Sequence, residues 1–146
     1  MPRGSFAHKV VVPGTPEDVW GRFQDPSTWK GIGPIDDIGN VRHDGDRLVS
    51  FDWVTHVGPT RYRGKSSMIE NLPGERLLMR LSSTEMGGRL TVVLTGDDTH
   101  ATLVEVTLDF ATKGTMSSLF FPVIAEAVKN GLRSQVDAFA AGWVSD

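Results

Sequence analysis

Residues 115–143 read TMSSLFFPVIAEAVKNGLRSQVDAFAAGW, and this stretch decides the predicted fold. It is the only long segment whose apolar residues recur at helical spacing, and Val128, Leu132, Val136 and Phe139 follow three- and four-residue steps beside charged neighbours. This pattern predicts a long C-terminal helix with one apolar face. Pro122 removes a hydrogen bond from a helix interior, so we expect the regular helix to begin or kink there. Residues 116–121 are then predicted to form an apolar lip.

Most of the chain before this helix alternates between apolar and polar residues, which is the pattern of half-buried strands. Turn pairs rich in glycine, proline and aspartate separate the runs, and such short connections predict antiparallel hairpins. The sequence therefore predicts seven strands, at residues 6–12, 35–43, 48–57, 61–71, 76–85, 89–95 and 100–112.

Two short helices are predicted after the first strand. Thr15 and Pro16 provide an N-cap hydroxyl and a first-turn proline, and the Asp25-Pro26 pair repeats the signal. The predicted fold class is α+β, with a seven-stranded curved antiparallel sheet around the long C-terminal helix. Because one core of this size fits one domain, residues 1–146 are predicted to form a single domain.

Period-two alternation assigns side chains to one face of the predicted sheet, here called the inner face. The third strand places Val49, Phe51 and Trp53 there, and the fourth strand opposes an inner set to the basic stripe of Arg61, Arg63 and Lys65, which should face water. The other predicted inner residues are Thr55, Val57, Tyr62, Gly64, Ser66, Met68, Leu77, Met79, Leu81, Leu90, Val92, Leu94, Val104, Val106, Leu108 and Phe110.

A sheet of this size should leave space on its inner face. Seven strands at about 4.8 Å each span about 30 Å, whereas one helix is only about 10 to 12 Å thick. Gly64, Ser66 and Thr55 are small or polar on an otherwise apolar face, which is typical of small-molecule pockets. The predicted ligand-binding residues are Trp29, Phe51, Trp53, Tyr62, Ser66, Met68, Met79, Leu81, Phe110, Phe120, Phe121, Ile124, Ala127 and Val128.

Composition excludes several classes of function. The net charge is −3 with a pI of about 5.8, and the basic residues are scattered, which argues against a nucleic-acid partner. The chain has no cysteine, so disulfides and thiolate chemistry are absent. The N-terminal residues lack a secretory apolar run, and no apolar stretch reaches the roughly 20 residues of a membrane span. We therefore expect a cytoplasmic protein without a transmembrane segment.

The motif Pro16-x-x-Val19-Trp20, followed by Asp25-Pro26 and Trp29, resembles the start of proteins of the SRPBCC superfamily. This superfamily includes START lipid-transfer domains and polyketide cyclase-like proteins, all with the helix-grip fold. Gly58-Pro59-Thr60 and Gly64-Lys65 are similar to the subgroup of proteins that resemble a carbon monoxide dehydrogenase component. The resemblance covers nearly the whole chain and implies a hydrophobic cavity between sheet and closing helix, in members that range from carriers to cyclases. It carries no catalytic motif over to this sequence.

Three classes of function stay open at this point. The first is binding, transport or sequestration of a lipid or polyketide-like aromatic molecule by a monomer or weak homodimer. The second is a cyclase, aromatase or dehydratase in which Tyr62, Glu70 or His8 supplies acid or base chemistry. The third is transient docking on a membrane or partner through Phe120, Phe121 and Trp29. No spacing of histidines and carboxylates indicates a metal site, and no cofactor motif is present.

Overall fold

The structure is a computed structural model that describes residues 3–29, 36–57, 60–83, 86–96, 101–112, 126, 129–130, 133 and 136–141. Within these ranges it contains two short helices and seven strands. Their bounds are β1 (Arg3–Val12), α1 (Pro16–Arg22), α2 (Pro26–Trp29), β2 (Asp37–Asp44), β3 (Arg47–Val57), β4 (Thr60–Leu72), β5 (Arg76–Ser83), β6 (Met86–Gly96) and β7 (Thr102–Thr112).

The strands form one sheet in the order β1-β7-β6-β5-β4-β3-β2, with every neighbouring pair antiparallel. Five of these six pairs join strands consecutive in the chain, as short turns require, while β1 crosses to pair with β7. The predicted antiparallel sheet of seven strands is confirmed. In this order β1 and β2 form the two edges of the sheet.

The two short helices are also confirmed, and the start of α1 follows from local sequence. The Thr15 Oγ1 accepts a 3.2 Å hydrogen bond from the backbone N–H of Asp18, and Pro16 occupies the first turn. This arrangement satisfies one of the free N–H groups of the first turn and fixes the helix start. α1 then buries Val19 and Trp20.

A buried hydrogen-bond network ties the end of α1 to β3 and β4. Gln24, only 6% exposed, exchanges two amide hydrogen bonds with Asn71, at 2.7 and 3.2 Å. The Asn71 Oδ1 also accepts from the Trp20 indole at 2.7 Å, and the Gln24 Oε1 accepts from the backbone N–H of Leu48 at 2.8 Å. Because buried polar groups are costly when unpaired, this network fixes where the helices meet the sheet.

The inner face carries the core. On β7 every second side chain is buried, from Thr102 to Thr112, and the residues between them are half-buried or exposed. The same cluster includes Phe23 after α1 and Val136 near the C-terminus, and the Phe23 and Phe139 rings lie 4.9 Å apart. C-terminal residues therefore pack on the inner face together with the short helices.

The predicted C-terminal helix is shown only in part. Residues 126, 129–130, 133 and 136–141 have helical backbone, with Val136 1% exposed and Asp137 exposed, as an amphipathic helix requires. A continuous long helix is not shown. The predicted helix start at Pro122 and the apolar lip at residues 116–121 lie outside the described residues.

Two register shifts change the predicted faces. Between Arg42↔Ser50 and His43↔Leu48 the pairing of β2 and β3 leaves Val49 unmatched, and Val49 is 40% exposed while Leu48 is 1% exposed. The placement of Val49 on the inner face was therefore wrong. An extra residue on one strand is a β-bulge, and a one-residue offset exchanges the two faces.

The second register shift lies between β4 and β5. Met68 pairs with Met79, whereas Glu70 pairs with Leu78, so Ile69 is the extra residue. Beyond the shift, Asn71 faces the inner side, where it meets the Gln24 network. Glu70 therefore moves to the outer face.

Candidate ligand-binding site

The central part of the inner face, formed by β3, β4 and β5, collects most of the predicted site residues. The register places Phe51 opposite Ser66 and Ser66 opposite Leu81. Phe51 and Ser66 are 0% exposed. The predicted residues that share this region, here called the central cluster, are Phe51, Trp53, Tyr62, Ser66, Met68, Met79 and Leu81, of which Met68 and Leu81 are half-buried.

Trp29 and Phe110 contact other parts of the core. Trp29 is fully buried, its ring lies 6.4 Å from that of Phe51, and its indole donates a 2.7 Å hydrogen bond to the Phe23 carbonyl. Trp29 therefore lines one end of the central cluster and, in this conformation, is not available for the membrane docking considered above. Phe110 on β7 contacts Phe6, with ring centroids 5.8 Å apart, and is separated from β4 by two strands.

The remaining predicted site residues are outside the described part of the chain. This applies to the aromatic pair of the predicted lip and to three helix positions. They are Phe120, Phe121, Ile124, Ala127 and Val128. Their roles stay predictions.

Gly64 determines how Trp53 lies on the sheet. The two residues are cross-strand partners, and a methyl group added to Gly64 would lie 2.2 Å from Trp53 Cζ2 and 2.6 Å from Cε2. The indole therefore crosses directly over the glycine, where any side chain would displace it. A glycine inside a strand often marks such a close approach.

Two polar atoms of the central cluster are buried without a hydrogen-bond partner. They are the Trp53 Nε1 and the Ser66 Oγ, and neither finds a donor or acceptor among the described residues. Trp53 is 6% exposed, and Ser66 is 0% exposed. Since most buried polar side-chain atoms in proteins are paired, this combination indicates a place built to receive a polar group.

Tyr62 lies beside these atoms on the same face of β4 and is 8% exposed. It was a predicted catalytic candidate because a phenol can donate or accept a proton or hydrogen bond. The structure keeps it in the central cluster next to Gly64 and Ser66. Its role there stays a prediction.

Glu70, another catalytic candidate, is not part of the site. Sequence parity placed it on the inner face, but the bulge at Ile69 turns it outward. Its Oε2 lies 2.7 Å from Nη2 of Arg76, so the carboxylate is engaged in a half-exposed ion pair. The expectation failed because one inserted residue reverses the alternation.

His8, the third candidate, lies on edge strand β1 and contacts the C-terminal helical residues. Its Nε2 is 2.6 Å from the Asp137 Oδ1, and the two side chains are 24% and 56% exposed. A cavity of about 250 Å³ adjoins the pair, lined by residues 5–8 together with Lys129 and Arg133. The sequence analysis did not link His8 with Asp137, because 129 positions separate them and no local pattern connects them.

The outer face shows a different chemistry. Arg61, Arg63 and Lys65 are exposed, which confirms that the basic side of β4 faces water. A cavity of about 690 Å³ lies here between β2 and β5, and Asp37, Asp52, Arg63, Lys65 and Ser82 are among the residues that line it. Its mixed charges contrast with the neutral central cluster.

Metal and membrane-spanning features were also considered for the described ranges. Within them, no three histidine, aspartate or glutamate side chains are grouped so that they could hold a metal ion. None of the helices in that part of the chain combines the length and apolarity needed to cross a bilayer.

Several solved structures have the same fold at low sequence identity. A START superfamily protein from Mycobacterium smegmatis aligns with a TM-score of 0.63 at 14% identity, covering 92% of this chain and 98% of that one. The Zhui aromatase/cyclase from Streptomyces sp. R1128 aligns at 0.63 and 15%, covering 98% and 100%. Norcoclaurine synthase from Thalictrum flavum aligns at 0.56 and 12%, covering 88% and 86%.

Sequence comparison assigns the family. No curated protein has a significant sequence match to the chain. Residues 3–142, nearly the whole length, match the sequence profile described as polyketide cyclase / dehydrase and lipid transport. The chain therefore belongs to this family, within the SRPBCC superfamily that its sequence resembles.

Proposed function

We propose that the protein binds a hydrophobic small molecule against the central cluster of the inner face. The observation that carries the proposal is the pair of buried, unpartnered polar atoms, Trp53 Nε1 and Ser66 Oγ, in an otherwise apolar surface. An unpaired buried polar group costs about 1 to 3 kcal/mol, so a protein retains two of them more readily where a ligand pairs with them.

The composition of the cluster supports this proposal. Small-molecule sites are mostly apolar and aromatic, with a few placed polar groups that orient the ligand. Phe51, Trp53 and Tyr62 provide aromatic surface, and Met79 provides an adaptable thioether. Gly64 and Ser66 take positions where a larger side chain would otherwise fill the space.

Binding can be tested with the neutral fluorescent probe phenylnaphthylamine and with native mass spectrometry of freshly purified protein. We expect the probe to bind wild-type protein and Ser66→Leu to weaken it at least about tenfold, because leucine fills the site. Ser67→Leu, on the opposite face of β4, is the matched control and should leave binding unchanged. The absence of both probe binding and a co-purified ligand would contradict the proposal, and so would equal binding by the Ser66 variant.

A cyclase or aromatase is the second candidate function, favoured by the contact between His8 and Asp137. A carboxylate that holds one imidazole nitrogen leaves the other nitrogen to take or give a proton. Beside a cavity, such a base could remove the α-proton of a β-ketone, so that the enolate attacks a second carbonyl and water is then lost.

This second candidate predicts turnover of a diketone that can undergo intramolecular aldol condensation. We expect His8→Gln to abolish turnover, and Asp137→Asn to lower kcat with little change in KM. Glu70→Gln is the control because Glu70 lies on the outer face. Equal rates for wild type and His8→Gln would reject the role of His8. The single domain, the monomer or weak homodimer and the cytoplasmic location stay predictions.

A further inference from the structure

We infer that the ligand of the central cluster is an aromatic molecule carrying an uncharged oxygen, a ketone or a phenol, rather than a fatty acid or another anion. The inference rests on the proposed function and specifies its ligand. It follows from the position of two polar atoms, from their donor and acceptor chemistry and from the charges on this face.

The two polar atoms lie on neighbouring positions of one surface. The Trp53 Cε2, to which Nε1 is bonded, lies above Gly64, and Ser66 is the next inner residue on the same strand. Inner residues two positions apart on a strand are separated by about 7 Å. One bound molecule can therefore reach both atoms, whether with one oxygen or with two.

The chemistry of the two groups selects the ligand atom. An indole N–H only donates, so its partner must be an acceptor, whereas a serine hydroxyl both donates and accepts. A ketone oxygen could accept from Trp53 and Ser66 together. A phenol could accept from Trp53 and donate to Ser66. A hydrocarbon would leave both groups unpaired.

The charges of this face exclude an anion as the preferred ligand. Among the described inner-face side chains of β3, β4 and β5 there is no lysine or arginine, since Arg61, Arg63 and Lys65 project from the outer face. A carboxylate moved from water to such a face would lose its hydration without gaining a countercharge. The bulge at Ile69 keeps the carboxylate of Glu70 off this face as well.

The test compares naphthalene, naphthol and naphthoate as competitors of phenylnaphthylamine at about pH 7, where naphthol is neutral and naphthoate is charged. We expect naphthol to bind about tenfold more tightly than naphthalene, which corresponds to one net hydrogen bond, and naphthoate to bind most weakly. Ser66→Ala and Trp53→Phe should each reduce the preference for naphthol, while the outer-face control Ser67→Ala should preserve it.

Thermal unfolding without ligand provides a second readout that does not depend on the Trp53 variant. If the Ser66 hydroxyl awaits a ligand, Ser66→Ala keeps or raises the unfolding midpoint. A fall of several degrees would show that the hydroxyl is bonded within the chain and would overturn the inference. Equal affinity for naphthalene and naphthol, or tightest binding of naphthoate, would also overturn it, although the proposed function would stand. Failure of phenylnaphthylamine to bind would reject the proposed function itself.

Discussion

Replacing Gly64 by alanine should destabilise the protein strongly, although it adds only one methyl group. The new Cβ would lie 2.2 Å from Trp53 Cζ2 and 2.6 Å from the backbone carbonyl oxygen of Ser82. The indole can rotate only by disturbing the buried cluster, and the carbonyl belongs to the adjacent strand. Overpacking of this kind costs about 1 to 3 kcal/mol and sometimes more, so we expect a loss of about 3 kcal/mol.

The assay is urea unfolding of wild type and variants, followed by thermal unfolding. For a chain of about this size, a loss of about 3 kcal/mol lowers the midpoint by about 6 to 12 °C. Gly39→Ala is the matched control, because a Cβ at that strand glycine meets nothing within 4 Å. We expect Gly39→Ala to change the free energy of unfolding by less than about 1 kcal/mol.

A double-mutant cycle divides the cost between the two obstacles. In a Trp53→Leu background the two indole carbons are gone, so Gly64→Ala should cost less than in the wild type. Part of the cost should remain, because the Ser82 carbonyl oxygen is unchanged. If Gly64→Ala were as stable as Gly39→Ala, the close approach of the indole to β4 would be refuted.

Three further predictions concern the polar contacts around the site. Asn71→Leu should destabilise by about 3 kcal/mol in urea unfolding, because it strands the donors and acceptors of the buried network; a loss below about 1 kcal/mol would contradict the network. Asp137→Asn should cost less than about 1 kcal/mol in the same assay, since the contact with His8 is partly exposed, and a larger loss would show a stronger coupling. Glu70→Gln should leave phenylnaphthylamine affinity unchanged, because Glu70 pairs with Arg76 on the outer face, and weaker probe binding would place it in the site.

The strands and short helices could be predicted because their signals are local. Alternation, turn pairs and the cap at Thr15 each depend on a few consecutive residues. The central cluster could be predicted for the same reason. From Phe51 to Trp53 on β3 and from Tyr62 to Met68 on β4, no register shift interrupts the alternation, so parity alone identifies the inner side.

The errors arose where both phases of the alternation fit the sequence. Leu48 and Val49 are consecutive apolar residues, so their order gives no indication of which one is buried. Glu70 and Asn71 are consecutive polar residues, and the choice between them depends on whether a buried partner is available. Gln24 provides that partner, from a different part of the chain. The contact between His8 and Asp137 likewise depends on tertiary packing alone.

The two bulges also explain why one sheet face can combine an apolar site with a polar anchor. Between the bulge residues Val49 and Ile69, the inner face of β3 and β4 is aromatic and neutral, with Ser66 as its buried hydroxyl. At the bulge on β4 the alternation reverses, so that Asn71 turns inward to complete the hydrogen bonds of α1. The same reversal turns Glu70 outward to water and Arg76. Without it, a carboxylate would face the apolar surface and the helix network would lack its amide. The bulge therefore keeps negative charge away from the central cluster, which favours a neutral ligand there.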